Sequence, residues 1–199
     1  MSDKMALKIA IDLMHVPSQV RLFRSEPLPD GVLMLLRIAA GDDEAENAAA
    51  ALTDRSRDVV RQAATFFIEQ IMFAPNTDSY RVLGVSPQAS GSELRRNVAL
   101  LLRWLHPDLD PRGARSIFIG RVTAAWNDLK TPERRAAYDD QLRSAMSRPQ
   151  SKNGKSRSGR HGSVASQRSR RMKNALLMRG TNRIGFFRRA LSMLLHRPL

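Results

Sequence analysis

Pro107 constrains this chain more than any other single residue, because it forces a break between two apolar helical stretches. Proline has no backbone N–H, fixes its own φ and disfavours helical geometry at the residue before it, so a helix running up to His106 must stop there. In the stretch before the break, residues 93–105, Leu94, Val98, Leu101, Leu102 and Leu105 fall at i, i+4, i+7, i+8 and i+11. That spacing makes one apolar stripe along a helix. In the stretch after it, residues 114–129, Phe118, Ile119, Val122, Ala125, Trp126 and Leu129 share a face. Only a short polar loop with Asp110, Pro111, Arg112 and Gly113 separates the two. Two amphipathic arms joined in this way pack antiparallel and bury their stripes against each other. The tip of the hairpin then presents one imidazole, His106, and one carboxylate, Asp108.

Local signals around the hairpin agree with helices. Ser90 and Glu93 form a capping-box pattern at the start of the first arm. Thr131 and Pro132 read as N-cap and first residue of a last helix. Residues 1–29 are ambiguous: Met5, Leu7, Ile9, Ile11 and Leu13 alternate with other residues, which leaves a strand and a frayed segment both open. From residue 30 the pattern is helical. Val32, Leu33, Leu36 and residues 38–40 form a short helix closed by Gly41, and Asp42 or Asp43 caps an alanine-rich helix ending near Thr53. A longer helix spans about 55–74, with Val59, Val60, Ala63, Phe67 and Ile71 on one side and Pro75 ending it. The expected fold is all-α, with a helical unit over 1–76 packing against a hairpin module over 77–145.

Charge divides the chain differently. Of its 33 lysines and arginines, 14 lie from Arg148 onward, where no acidic residue occurs; 19 basic residues face 19 acidic ones before that point. The net charge of +14 therefore belongs to the tail. Residues 146–170, rich in Ser, Arg, Gly and Lys, bury too little apolar surface to offset ordering entropy and read as a disordered linker. Residues 171–199 read as a basic amphipathic end. There Ile184, Phe187, Leu191, Leu194 and Leu195 share a helical face, Phe186 adjoins it, and Arg188, Arg189, His196 and Arg197 lie beside or opposite.

The chain has no cysteine, which excludes disulfides, thiol catalysis and cysteine-ligated zinc and fits a reducing compartment. Its N-terminal apolar run is interrupted by Lys8, Asp12 and His15, and no stretch reaches the 18 or so apolar residues of a spanning helix. A cytoplasmic location is expected, with room for peripheral contact at the inner face of a membrane. His15 has no partner at ligand spacing and reads as structural or solvated. No phosphate-binding glycine loop, metal spacing or activated nucleophile occurs, so no catalytic residue, metal or cofactor is expected.

Several motifs in order carry a family resemblance. Tyr80, Leu83 and Gly84 are followed by Leu94, Leu101 and His106-Pro107-Asp108, then by Ala125, Trp126 and Leu129, and finally by Arg134, Arg135, Ala136, Ala137 and Tyr138. Residues 78–142 thereby resemble a J-domain, the DnaJ-type module. The chain lacks the cysteine-rich zinc module and the Gly/Phe-rich linker of larger members, which makes it a minimal type. The resemblance implies a non-enzymatic co-chaperone whose His106-Pro107-Asp108 tip contacts a DnaK-type chaperone ATPase and promotes its ATP hydrolysis. Arg95, Arg96 and Arg103, on the outward face of the first arm, would steer an acidic partner surface. Unfolded client proteins are a further class of partner that such a module serves.

One departure stands out. The family often carries Lys or Arg at the positions of Ala99, Leu100 and Trp104, which are apolar here. Either the N-terminal helices cover these positions, or they meet a different partner. The competing reading is an adaptor that uses the J-like domain as scaffold and its tail to bind an anionic membrane surface or nucleic acid. Phe186, Phe187, Leu191, Leu194 and Leu195 would embed while Arg188 and Arg189 meet headgroups; nucleic acid would be bound through charge alone.

Overall fold

The computed structural model describes residues 3–106, 108–110 and 113–147, and these residues are helical with no strand among them. The amphipathic end at 171–199 and the linker from 148 lie outside the described residues. The helices are α1 (Asp3–His15), α2 (Val20–Ser25), α3 (Val32–Ala39), α4 (Asp43–Thr53), α5 (Arg57–Phe67), α6 (Ser79–Val82), α7 (Gly91–Trp104), α8 (Ile119–Leu129) and α9 (Pro132–Ser147). A π-helical turn, Ile68–Met72, continues α5, and 3₁₀ turns at Pro17–Gln19 and Ala114–Phe118 lead into α2 and α8.

The ambiguity at the N-terminus resolves as helix. Ala6, Leu7, Ala10, Ile11 and Leu13 are buried in α1, so the alternation that suggested a strand was incidental to a period of 3.6. α1 packs on α5 and α3, and Ala6 donates its N–H to Asp30 O at 3.2 Å. His15 turns its ring back on its own helix, where Nδ1 is 2.7 Å from Ile11 O.

The expected caps form where the spacing placed them. Asp42, and not Asp43, accepts from Ala45 N–H at the start of α4. Ser90 and Glu93 make both bonds of the capping box on α7. Thr131 accepts from Arg134 N–H at 3.3 Å and starts α9, which runs on to Ser147, so residues 146 and 147 belong to that helix and not to the linker. Gly41, at φ +72°, closes α3.

The helix expected over 55–74 changes character. Ser56 caps α5, regular geometry ends at Phe67, and Phe73 N–H reaches back to Ile68 O at 2.9 Å across the π turn. Ile71, Met72, Phe73 and Ala74 are four consecutive buried residues. A single α-helical face of period 3.6 does not bury four in a row; here the regular helix ends, and Phe73 and Ala74 lie past the π turn.

One apolar core joins the N-terminal helices to the hairpin. Leu35, Leu36, Phe67 and Met72 belong to the same buried cluster as Leu83, Leu94, Leu101 and Trp104. Gly84 marks how close the two parts come. Its φ is +66°, and a Cβ there would meet Met72 Cε at 2.9 Å and Val32 Cγ1 at 3.0 Å. Polar ties follow the same seam. The Arg81 guanidinium donates to Ile71 O, Glu26 O and Phe23 O, and Arg121 donates to Phe73 O, Ala74 O and Thr77 Oγ1.

Candidate functional site

α7 is buried on two sides and open on the third. Leu94, Val98, Leu101, Leu102 and Leu105 make the expected stripe, each at most 5% exposed, and α7 packs on both α8 and α3. Asn97 and Trp104 are buried on a second side. Asn97 Nδ2 donates to Leu83 O at 3.0 Å and Gly84 O at 3.1 Å. The third side carries Arg95, Arg96 and Arg103, all exposed, with half-buried Ala99 between them. On a helical projection these positions fall within about 100° of one another, on the side that leads to His106. Arg96 Nε lies 3.5 Å from Asn97 Oδ1, and Arg103 Nη2 lies 3.4 Å from Gly41 O.

The helix stops as Pro107 requires. Leu105 N–H still bonds to Leu101 O, while His106 N–H closes a shorter turn on Arg103 O. The chain then folds over the His106 carbonyl, which accepts from Leu109 N–H at 2.9 Å and Asp110 N–H at 3.1 Å. His106 and Asp108 are both exposed; Nδ1 is 3.3 Å from Asp108 Oδ2 and also 3.3 Å from Asp108 N. An unprotonated Nδ1 accepts from that N–H, and a protonated one faces the carboxylate, so in either state the ring is held toward Asp108. An exposed pair of this kind contributes little to stability. Pro107 lies outside the described residues.

Four groups that order the tip were not singled out in the sequence. Asp110, only 8% exposed, accepts from Ala114 N–H at 3.2 Å and Arg115 N–H at 2.8 Å, so it caps the 3₁₀ turn that opens the second arm. Arg115 donates to Leu109 O at 3.2 Å, and its guanidinium lies 5.0 Å from the Trp104 ring centre. Glu69, from the π turn, is 3.6 Å from Arg115 Nε. Its carboxyl is pushed above the usual carboxylate range by burial, with Arg115 opposing and Asp110 adding to the rise. Phe73 packs on Trp104 and Phe118, with ring centres 5.9 Å and 4.8 Å away. Nothing in the spacing of Glu69, Phe73 and Arg115 announces that they meet.

These contacts also account for the apolar departure on the first arm. Trp104 is 1% exposed, enclosed by Phe73, Phe118 and Arg115, and Leu100 is half-buried against the same core. The N-terminal part covers this face. Trp104 Nε1 is nevertheless a buried donor without a protein acceptor. The other sequence-derived candidates, Phe186, Phe187, Arg188, Arg189, Leu191, Leu194 and Leu195, lie outside the described residues. Among the described residues there is no cluster of metal-ligating side chains, and no helix is long and apolar enough to cross a membrane.

The far end of the hairpin is tied by its own polar groups. Tyr138 Oη and Ser79 N lie 2.7 Å apart, Ser79 Oγ donates to Asp128 at 2.7 Å, and Tyr80 Oη donates to Asp139 at 2.7 Å. Arg135 Nε donates to Tyr80 Oη at 3.0 Å, and its other nitrogens donate to Ala89 O and Pro87 O.

Comparison with known proteins falls on this same segment. The family model described as DnaJ domain matches residues 78–139. The chaperone protein DnaJ of Tropheryma whipplei (strain Twist) is 45% identical over 62 residues, which cover 31% of this chain and 17% of the relative. Chaperone protein DnaJ 1 of Mycobacterium leprae (strain TN) is 39% identical over 66 residues, 33% of this chain and 17% of the relative. Chaperone protein DnaJ 2 of Streptomyces coelicolor is 36% identical over 63 residues, with 32% and 17% covered. The matched segment thus spans about a sixth of each relative's length. No solved structure matches the chain. Tip, stripe and polar far end all fall inside the segment that matches the DnaJ domain, residues 78–139, and the helices before it share one core with it.

Proposed function

We propose that the chain is a J-domain co-chaperone that binds a DnaK-type chaperone ATPase and stimulates its ATP hydrolysis. The observation that carries this reading is the exposed His106–Asp108 pair at the end of an arginine-bearing face, inside a segment that matches the DnaJ domain. Arg95, Arg96 and Arg103 attract an acidic surface and orient it along α7. His106, Pro107 and Asp108 then make the short-range contact that favours the hydrolysing state of the partner. In this reading the chemistry stays with the partner. With Trp104 buried and Leu100 half-buried against the core, contact centres on the arginine stripe and the tip, which selects among ATPases by fewer groups.

The test is single-turnover ATP hydrolysis by DnaK-type chaperones from the same cell, with the full chain and with His106→Gln. The wild type accelerates hydrolysis, and the variant fails to do so while melting at the same temperature, since an exposed loop side chain contributes little packing. A variant as active as the wild type sinks the reading.

A second role is favoured by charge alone. The 14 basic residues from Arg148 onward, with no acidic one among them, suit an anionic surface. We propose that this end localises the module at a membrane's inner face. Binding to anionic vesicles that weakens in salt and is lost in Phe187→Asp supports the membrane; binding that follows charge and ignores Phe187→Asp points to nucleic acid instead.

A further inference from the structure

Arg115 sits where three parts of the molecule meet. Its backbone N–H donates to Asp110, its Nη1 donates to Leu109 O, its guanidinium covers Trp104, and its Nε faces Glu69 across 3.6 Å. Leu109 and Asp110 are the two residues whose N–H groups close the turn on His106 O. The geometry therefore runs from Glu69, in the N-terminal helices, through one guanidinium to the turn that carries His106. Leu109 meets the N-terminal part a second time, since a Cβ at Gly41 would lie 3.7 Å from Leu109 Cδ2. Both Glu69 and Arg115 are largely shielded, with side chains 31% and 24% exposed, so solvent screens their attraction less than it screens an open surface pair.

We propose that Glu69 is a positioning residue for the His106 tip, acting through Arg115, so that helices outside the DnaJ domain set how firmly the tip is presented to the ATPase. The role rests on the co-chaperone reading for its consequence but on geometry for its existence. An orienting ion pair needs charge as well as size. Glu69→Gln keeps the size and removes the charge; Glu69→Ala removes both; Glu69→Asp keeps the charge and withdraws it by one methylene. Arg115→Met removes the guanidinium while retaining an apolar cover for Trp104.

The experiment uses the full chain and reads amide hydrogen exchange at Leu109 and Asp110 together with ATPase stimulation. Glu69→Gln and Glu69→Ala exchange faster at these two amides by about fivefold, the factor equivalent to about 1 kcal/mol of local opening. Arg115→Met exceeds them, because it also removes the bond to Leu109 O, and Glu69→Asp falls between Gln and the wild type. Core amides of α1 and α7 keep their rates. In the ATPase assay the concentration for half-maximal stimulation rises about twofold or more, while the plateau rate stays, as expected when fewer molecules hold the competent tip. Unchanged exchange at Leu109 and Asp110 in both the Gln and Ala variants overturns the proposal. So does an equal acceleration throughout the core, which would make Glu69 merely structural. A wild type that stimulates no ATPase overturns the co-chaperone reading alone, and the exchange rates still decide the role of Glu69.

Discussion

The two ends of the hairpin are held in different ways. At the end away from the tip, Tyr80, Tyr138, Asp128, Asp139 and Arg135 bond to one another and to nearby carbonyls, all within residues 78–139. The ring of Tyr80 also meets Tyr138 edge-on at 5.9 Å and lies under Arg135 at 5.3 Å. At the tip, Trp104 and Arg115 depend on Phe73 and Glu69, which precede the domain in sequence. One end is closed by the domain itself and the other by an added set of helices. The lesson is that the end that leaves His106 and Asp108 exposed has its apolar support supplied from outside the matched segment.

This contrast can be broken most severely at Trp104. Trp104→Ala removes a ring buried between both parts, and large-to-small changes of this kind cost about 3–5 kcal/mol. The denaturant midpoint should fall accordingly, and the fall should be larger than for any single change at the far end. Gly84→Ala comes next. It forces a Cβ against Met72 and Val32 at a positive φ, and overpacking alone costs about 1–3 kcal/mol. Denaturant unfolding followed separately by Trp104 and by a probe on α1 should shift together if the seam joins one cooperative unit. Tyr138→Phe is smaller, about 1–2 kcal/mol, because it leaves Ser79 N without its partner while keeping the ring contact with Tyr80. Amide exchange at the tip should not change in this variant; a faster tip would mean that the two ends are coupled and the contrast is false.

Legibility followed the same division. The α7 stripe, its capping box, the break at Pro107 and the start of α9 at Thr131 are local patterns of spacing and capping, and each was readable before any fold was known. So were Arg95, Arg96 and Arg103 as an outward face, because helical period alone separates them from Leu94, Val98 and Leu101. The apolar Leu100 and Trp104 signalled that something covers the arm without saying what. Phe73 and Glu69 could not be named as the cover, since they lie 31 and 35 positions before Trp104 in sequence. The π turn that presents them has no period of its own to read. At α1 the pattern misled: five apolar residues at odd positions imitate a strand, and only the burial of Ala6 and Ala10 beside Leu7 and Leu13 exposes the helical face.

The smallest effect, and the sharpest on the tip, is the pH dependence of Glu69. Burial raises the Glu69 carboxyl above the ordinary carboxylate range, Asp110 adds to this, and Arg115 only partly offsets it. A carboxyl with a raised folded pKa contributes stability that is full below the unfolded value and lost as pH rises through the folded one. At neutral pH the Glu69 charge therefore costs stability, even though it orients Arg115. Glu69→Gln should be as stable as the wild type at neutral pH or slightly more stable. As pH falls from neutral towards the ordinary carboxylate range, the wild type should gain on the variant and the gap should narrow or close. Glu46 does not confuse the comparison. Arg61 and then Arg57 hold its carboxyl below the usual range against burial, so its contribution is lost only at lower pH, and it is present in both proteins. Paired denaturant midpoints at neutral pH and at about pH 5, just above the ordinary glutamate pKa, check the sign. A gap that stays constant would mean that folding does not perturb the carboxylate. A wild type that is the more stable protein at neutral pH and loses that advantage in acid would mean that Arg115 outweighs burial and that the ion pair stabilises the fold as well as the tip.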